Sequence, residues 1–427
     1  MSKFDSIRPY YDSEVNEALI SSLHHPMMKA LMNFTFPELE DEVWKEQLKR
    51  THSIRDFQIN FVYQSIQRVL EKSSEGLTTS GFEKLEPNTS YLFISNHRDI
   101  ILDTSLLNVS LFDHGLVMTA SAIGDNLVKK DFLLKLSKLN RNFLVQRGLS
   151  PRELLQSSKL MSEYMYHLLS KENRSVWIAQ REGRTKDGND ATHQGVLKMV
   201  SMASDEKNCM DYFRKLKVVP VSISYEYDPT DALKMPQLMA LANDEVYIKE
   251  KNEDFITLLS GIIGQKKRIH IHIGDVLEKE YDGIIAETNN SNKQIQALAQ
   301  VIDDSILQSY KLWPTNYIAY DILNNLEQEV KILENKFNYD SKKVSYLENG
   351  KISIERQIKK IEVDKKKAEN ELKENGGIKE KLMEAAKSQV GKIEEIEKEI
   401  QKLLLKKENI LQELNSNNEK IEKIEAN

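Results

Sequence analysis

Every proline and tryptophan of this chain stands before residue 315, and shortly after it the sequence becomes a repeat that one helix cannot satisfy alone. Stepping alternately by four and three from Leu326 to Leu372 meets apolar residues at 11 of 14 positions, interrupted by Asp340, Lys351 and Lys365. A seam recurring every 3.5 residues is buried only against a second helix. The pattern breaks at Gly376-Gly377 and resumes from Leu382 to Ile424. Two such arms about a diglycine predict an all-α coiled-coil extension over 321–427, folded as a helical hairpin. Each arm of about 45 residues would extend roughly 70 Å. Coiled-coil self-association through the same seam is the competing arrangement.

Charge divides at the same place. Residues 323–427 hold 22 Lys+Arg and 22 Asp+Glu, so the formal net charge of −6 belongs to the first part. That balance gives no bulk electrostatic reason to expect nucleic acid as a partner. Cys209, the single cysteine, excludes an internal disulfide and a cysteine-rich metal site and points to a reducing, cytoplasmic setting. No metal or bound cofactor is expected. The charged start Met1-Ser2-Lys3-Phe4-Asp5 lacks the apolar core of a secretory signal, and nowhere do about 18 apolar residues run uninterrupted, so no transmembrane helix is expected.

The first part alternates short apolar runs with helix-like stretches. Strands are predicted at Tyr91–Ser95, Leu116–Ala120, Asn142–Gln146, Ser175–Ala179, Lys217–Ser224 and Arg268–Gly274, which reads as an α/β fold, a mixed sheet covered by helices. Residues 1–84 are expected to form an N-terminal helical region and 85–320 the α/β domain. The amphipathic stretch 57–70 is expected to cover the core, because basic residues are not gathered on its polar face as an interfacial helix would need. In such sheets, chemistry collects beyond the carboxyl ends of strands. There stand Asn96-His97-Arg98-Asp99, Arg147-Gly148 and Gln180-Arg181-Glu182-Gly183-Arg184, expected to converge on one cleft.

The ordered set Asn96-His97 with Asp103, Phe143-Leu144-Val145-Gln146-Arg147, Arg181-Glu182-Gly183-Arg184-Thr185 and Val218-Val219-Pro220-Val221 resembles the four blocks of the glycerol-phosphate and lysophospholipid acyltransferases. Ser6-Ile7-Arg8-Pro9-Tyr10 and the stretch 313–320 are similar to a soluble bacterial branch of that family. The resemblance implies transfer of a fatty acyl group from acyl-CoA or acyl carrier protein to a hydroxyl of glycerol 3-phosphate, 1-acylglycerol 3-phosphate or a related lysolipid. It implies a protein peripheral on the inner face of the cell membrane. It casts His97 as general base with a carboxylate partner, and Asn96, Arg147, Glu182, Gly183 and Arg184 as the substrate-binding set. The family's aspartate usually follows five positions after the histidine; here Asp103 follows at six, so Asp103 and Asp99 both stand as partners.

Those residue types suit the chemistry. A thioester is already activated, so the enzyme's task is to deprotonate the attacking hydroxyl, and an imidazole steadied by a carboxylate does that near neutral pH. A guanidinium holds a phosphate through two parallel donors. The chain has no G-x-S-x-G elbow, Walker loop, H-E-x-x-H or dinucleotide glycine fingerprint. A scaffold or tethering protein, its acyltransferase-like domain positioning the coiled-coil arm, is the alternative from another class.

Overall fold

The structure is a computed structural model that describes residues 2–250 and 253–324. It divides into two compact units, Met1–Trp313 and Pro314–Asn427. In the second, the described part is the helix Pro314–Leu323; the expected coiled-coil hairpin lies outside the described residues.

The first unit is built on a seven-stranded sheet. Its strands are β1 (Ser74–Ser80), β2 (Leu92–Ser95), β3 (Thr119–Gly124), β4 (Asn142–Val145), β5 (Ser175–Ala179), β6 (Val218–Tyr225) and β7 (Lys267–Ile273), in the spatial order β1-β7-β6-β2-β5-β3-β4. From β6 to β4 the neighbours are parallel, β7 runs antiparallel to β6, and β1 is parallel to β7. The carboxyl ends of β2 to β6 therefore share one edge with the amino ends of β7 and β1.

Alternation along the strands feeds two cores. Leu92, Ile94, Val176, Ile178 and Val218 face one side, beneath the helices Pro151–Lys171, Cys209–Leu216 and Ser291–Ser309. Phe93, Trp177, Val219, Val221 and Ile271 face the other, beneath Gln64–Ser73 and Leu102–Asp113. Each such side chain, fully buried, contributes roughly 1.5–3 kcal/mol of transfer free energy. Strands buried on both faces read in sequence as continuous apolar runs.

Two expectations need correction, and a third gains a detail. The helical region expected over 1–84 ends at Ser73, and the next seven residues enter the sheet as the edge strand β1. With Leu77 its only large apolar residue and its register with β7 shifted between Ser74 and Gly76, β1 carries no alternation to reveal it. The third strand begins at Thr119, not Leu116. The stretch 57–70 does cover the core, through Phe57, Phe61, Ile66 and Val69, but it passes through a π-helical turn at Gln58–Tyr63.

Candidate active site

At the end of β2 the chain leaves the sheet without regular structure over 96–99. Asn96 fixes that exit. Its amide nitrogen donates to the Ile223 carbonyl and its Oδ1 accepts from the Ile223 N–H, both at 2.8 Å, so a side chain prolongs the β2–β6 pairing. With both ends engaged and the residue buried, Asn96 fixes the backbone position of its neighbour.

That neighbour is His97. Its Nδ1 lies 2.8 Å from Asp103 Oδ2, and its ring meets Trp177 edge-on with centroids 5.3 Å apart. Trp177 is itself held by an Nε1–H donated to Ser95 Oγ at 2.9 Å. Asp103 is fully buried and amply solvated by the protein. Oδ2 also accepts the backbone N–H groups of Arg98 (2.6 Å) and Asp99 (3.0 Å), and Oδ1 accepts the Tyr225 hydroxyl (2.8 Å). A carboxylate only accepts, so the pairing keeps the imidazole proton on Nδ1 and leaves Nε2 to take another.

Asp99 has a different task. Its Oδ1 accepts from the N–H groups of Ile101 (2.9 Å) and Leu102 (2.8 Å), capping the helix Leu102–Asp113, and its Oδ2 abuts Gly261. Burial first, and the Asp103 charge second, push its carboxyl above the usual range. Of the two candidate partners of His97, Asp103 is the one in contact. The sixth position is reached because the turn from Arg98 to Ile101 wraps around the Asp103 carboxylate, an irregular loop absorbing the extra residue ahead of an ordinary α-helix.

The segment after β5 closes over this edge. Gln180 donates its N–H to Ser95 O and accepts from His193 N–H, both at 2.8 Å, so the loop between them returns to its own foot. Gly183 within it holds φ +73°, a left-handed conformation that disfavours a side chain. The Arg98 guanidinium lies beneath: Nη2 donates to Thr185 O (3.3 Å), and Nη1 stands 3.6 Å from Asp190. Arg98 Nε and Arg184 Nη1 are buried without a hydrogen-bond partner among the described residues. From the end of β4, Arg147 reaches across to pair with Glu182. Glu182 is largely open to solvent, whereas Arg147 is only 34% exposed. Lys186 and Lys234 add charge to the same region, and burial followed by repulsion from Arg184, Lys249 and Lys234 holds Lys186 below the ordinary lysine value.

The arrangement thus offers a carboxylate-steadied imidazole beside several cations, suited to removing a proton from a hydroxyl on an anionic molecule. No group of three or more His, Cys, Asp or Glu side chains able to hold a metal ion occurs among the described residues. Residues 76–224 match the family model described as Acyltransferase. Over that stretch the chain is similar to an acyltransferase domain. The matched stretch runs from β1 to β6 and includes His97, Asp103, Arg147 and Glu182. No curated protein matches the chain in sequence. Among solved structures, the 1-acyl-sn-glycerophosphate (LPA) acyltransferase of Thermotoga maritima is similar at 12% identity, covering 70% of this chain and 98% of that one, with a TM-score of 0.34.

Several residues of this candidate site were not picked out in sequence. Tyr225 was the most accessible of them: it closes β6, and the rule that singled out the residues after β2, β4 and β5 applies equally there. Trp177 lies inside an apolar run and reads as core. Thr185, Asp190 and Lys234 had no signal of their own, because their roles follow from where a loop and a later helix fold back.

Proposed function

We propose that this acyltransferase domain moves a fatty acyl group from acyl-CoA or acyl carrier protein to a hydroxyl of glycerol 3-phosphate, 1-acylglycerol 3-phosphate or a related lysolipid. The observation that carries the reading is the His97–Asp103 contact, made where β2 opens onto a cation-lined edge. The acceptor oxygen attacks the thioester carbonyl carbon as its proton passes to His97 Nε2. The tetrahedral intermediate then collapses, the carbon–sulfur bond breaks, and the leaving thiolate takes up the proton. Asp103 stabilises the transient imidazolium and keeps the ring in place.

Arg147 and Arg184 are the phosphate-binding candidates, with Glu182 orienting Arg147. Arg98 braces the loop that presents them. A lysolipid acceptor would bring the protein to the surface of a membrane; no helix among the described residues is long and apolar enough to cross one.

The test is thiol release from palmitoyl-CoA or acyl carrier protein with each candidate acceptor, comparing the wild type with His97→Ala. Loss of a positioned general base is expected to lower the rate by roughly 10²–10⁴. Equal rates would sink the mechanism, and a wild type inactive with every acceptor would favour the scaffold reading.

A further inference from the structure

Two helices bordering the site are built inside out. In Asp231–Ala242, Lys234 is only 3% exposed, its ammonium paired with Asp228, while Met235 and Met239 are about half exposed and Leu241 is 70% exposed. In Glu253–Ile263 the buried residues are Thr257 and Gly261, and Ile263 is 70% exposed. Between the helices, Val246 and Ile248 are 88% and 81% exposed. Surface helices in water turn their apolar stripe inward and their lysines outward. Here Lys234, Thr257 and Gly261 are buried while most of the large apolar side chains are exposed, Ile262 packing on the core, over a stretch too long to be incidental.

The inner side of this stretch meets the catalytic edge. Gly261 lies against Asp99 Oδ2, the Lys234 ammonium is within electrostatic reach of Arg98 and Arg184, and Gly264 packs on Pro229, which joins the two helices at their base. Lys130 sits over the Phe255 ring at 4.5 Å. Cations thus line the floor and bare hydrocarbon forms the rim. That division of charge matches one class of partner, a phospholipid, whose phosphate suits the floor and whose acyl chains suit the rim.

We propose that the helices Asp231–Ala242 and Glu253–Ile263, with Val246 and Ile248 between them, seat this domain on a phospholipid bilayer, so that a lipid acceptor passes from the membrane to His97 without crossing water. The proposal rests on the lipid-acceptor reading above and names the surface that serves it. Asp231, Asp244, Glu245, Glu250, Glu253 and Asp254 lie on the same stretch, so insertion of apolar side chains, not net positive charge, supplies the attachment. Binding is therefore expected to persist on uncharged phosphatidylcholine and at high salt, unlike a purely electrostatic contact.

The experiment is flotation of the full chain with phosphatidylcholine vesicles, with and without phosphatidic acid, for the wild type and the combined variant Leu241→Ser, Val246→Ser, Ile248→Ser, Ile263→Ser. The four positions are largely exposed, so thermal unfolding should be unchanged. The wild type should float, and the variant should lose at least tenfold in bound fraction and in transfer to a vesicle-embedded lysolipid. Transfer from octanoyl-CoA to dissolved glycerol 3-phosphate should be the same for both. A variant that floats like the wild type, or a wild type that stays in the soluble fraction, overturns the proposal. So does a change from dimer to monomer with flotation unchanged, which would assign the face to a second copy. A wild type that floats but transfers nothing leaves this surface standing and removes the catalytic reading instead; His97→Ala should float normally.

Discussion

The Tyr225 hydroxyl donates to Asp103 Oδ1 over 2.8 Å, binding the end of β6 to the carboxylate whose other oxygen engages His97. Two strands and one helix thereby fix a single carboxylate, and its orientation fixes the imidazole. Tyr225→Phe keeps the ring and removes one donor, a loss of about 1–2 kcal/mol. The expected result is a kcat roughly tenfold lower with KM changed little. An unchanged kcat would reduce Tyr225 to a packing residue.

Arg147 and Glu182 pair at the surface, Glu182 open and Arg147 half-buried, where solvent screening leaves an ion pair contributing little to stability, about 0–1 kcal/mol. Arg147→Ala should accordingly leave the unfolding midpoint nearly in place. If the guanidinium binds the acceptor phosphate, KM for glycerol 3-phosphate should rise about tenfold while KM for the acyl donor stays constant. Steady-state kinetics in both substrates separates the outcomes, and equal changes in both KM values would count against a phosphate-binding role.

A methyl group added at Gly261 would stand 2.1 Å from Asp99 Oδ2, closer than any real contact, whereas at Gly283 nothing lies within 4 Å. Gly261→Ala should therefore cost about 1–3 kcal/mol through overpacking and displace the helix from the site. Gly283→Ala, in the helix Lys279–Glu287, should be neutral or stabilising by up to about 1 kcal/mol. Thermal unfolding of the two variants checks the contrast, and similar midpoints would contradict the packing described.

Asp99 gives a dependence on pH. Its folded-state pKa is raised, so the stability it contributes is fully present below its unfolded value near 3.8 and is lost as pH rises through the folded value. Asp99→Asn keeps an oxygen for the Ile101 and Leu102 N–H groups and removes the buried charge. Relative to the wild type, the variant should gain in stability from about pH 4 to pH 7. Urea unfolding at both pH values measures the difference, and a gap that does not widen toward pH 7 would refute the assignment.

Much of the sheet was legible because strands buried on both faces, such as Tyr91–Ser95, Ser175–Ala179 and Lys217–Ser224, must be apolar without interruption, and such runs stand out in any sequence. The edge strand β1 escaped notice because an edge needs no such run. The His97–Asp103 pair was legible as residue types at a spacing, but helical geometry alone placed neither Asp99 nor Asp103 opposite the imidazole. A turn wrapped around a carboxylate by two backbone N–H groups is a tertiary outcome, and periodicity cannot announce it.

What this chain's sequence determined by itself was the alternation of the α/β unit and the polar clusters after its strands, since side-chain period and burial are local physics. The tertiary structure alone decided that Asp103 meets His97 while Asp99 caps a helix, and that Asn96 serves as backbone. It also decided that two late helices turn their apolar sides outward beside the site. Each of those depends on which distant group arrives to satisfy a buried donor, acceptor or charge, and only the folded chain brings them together.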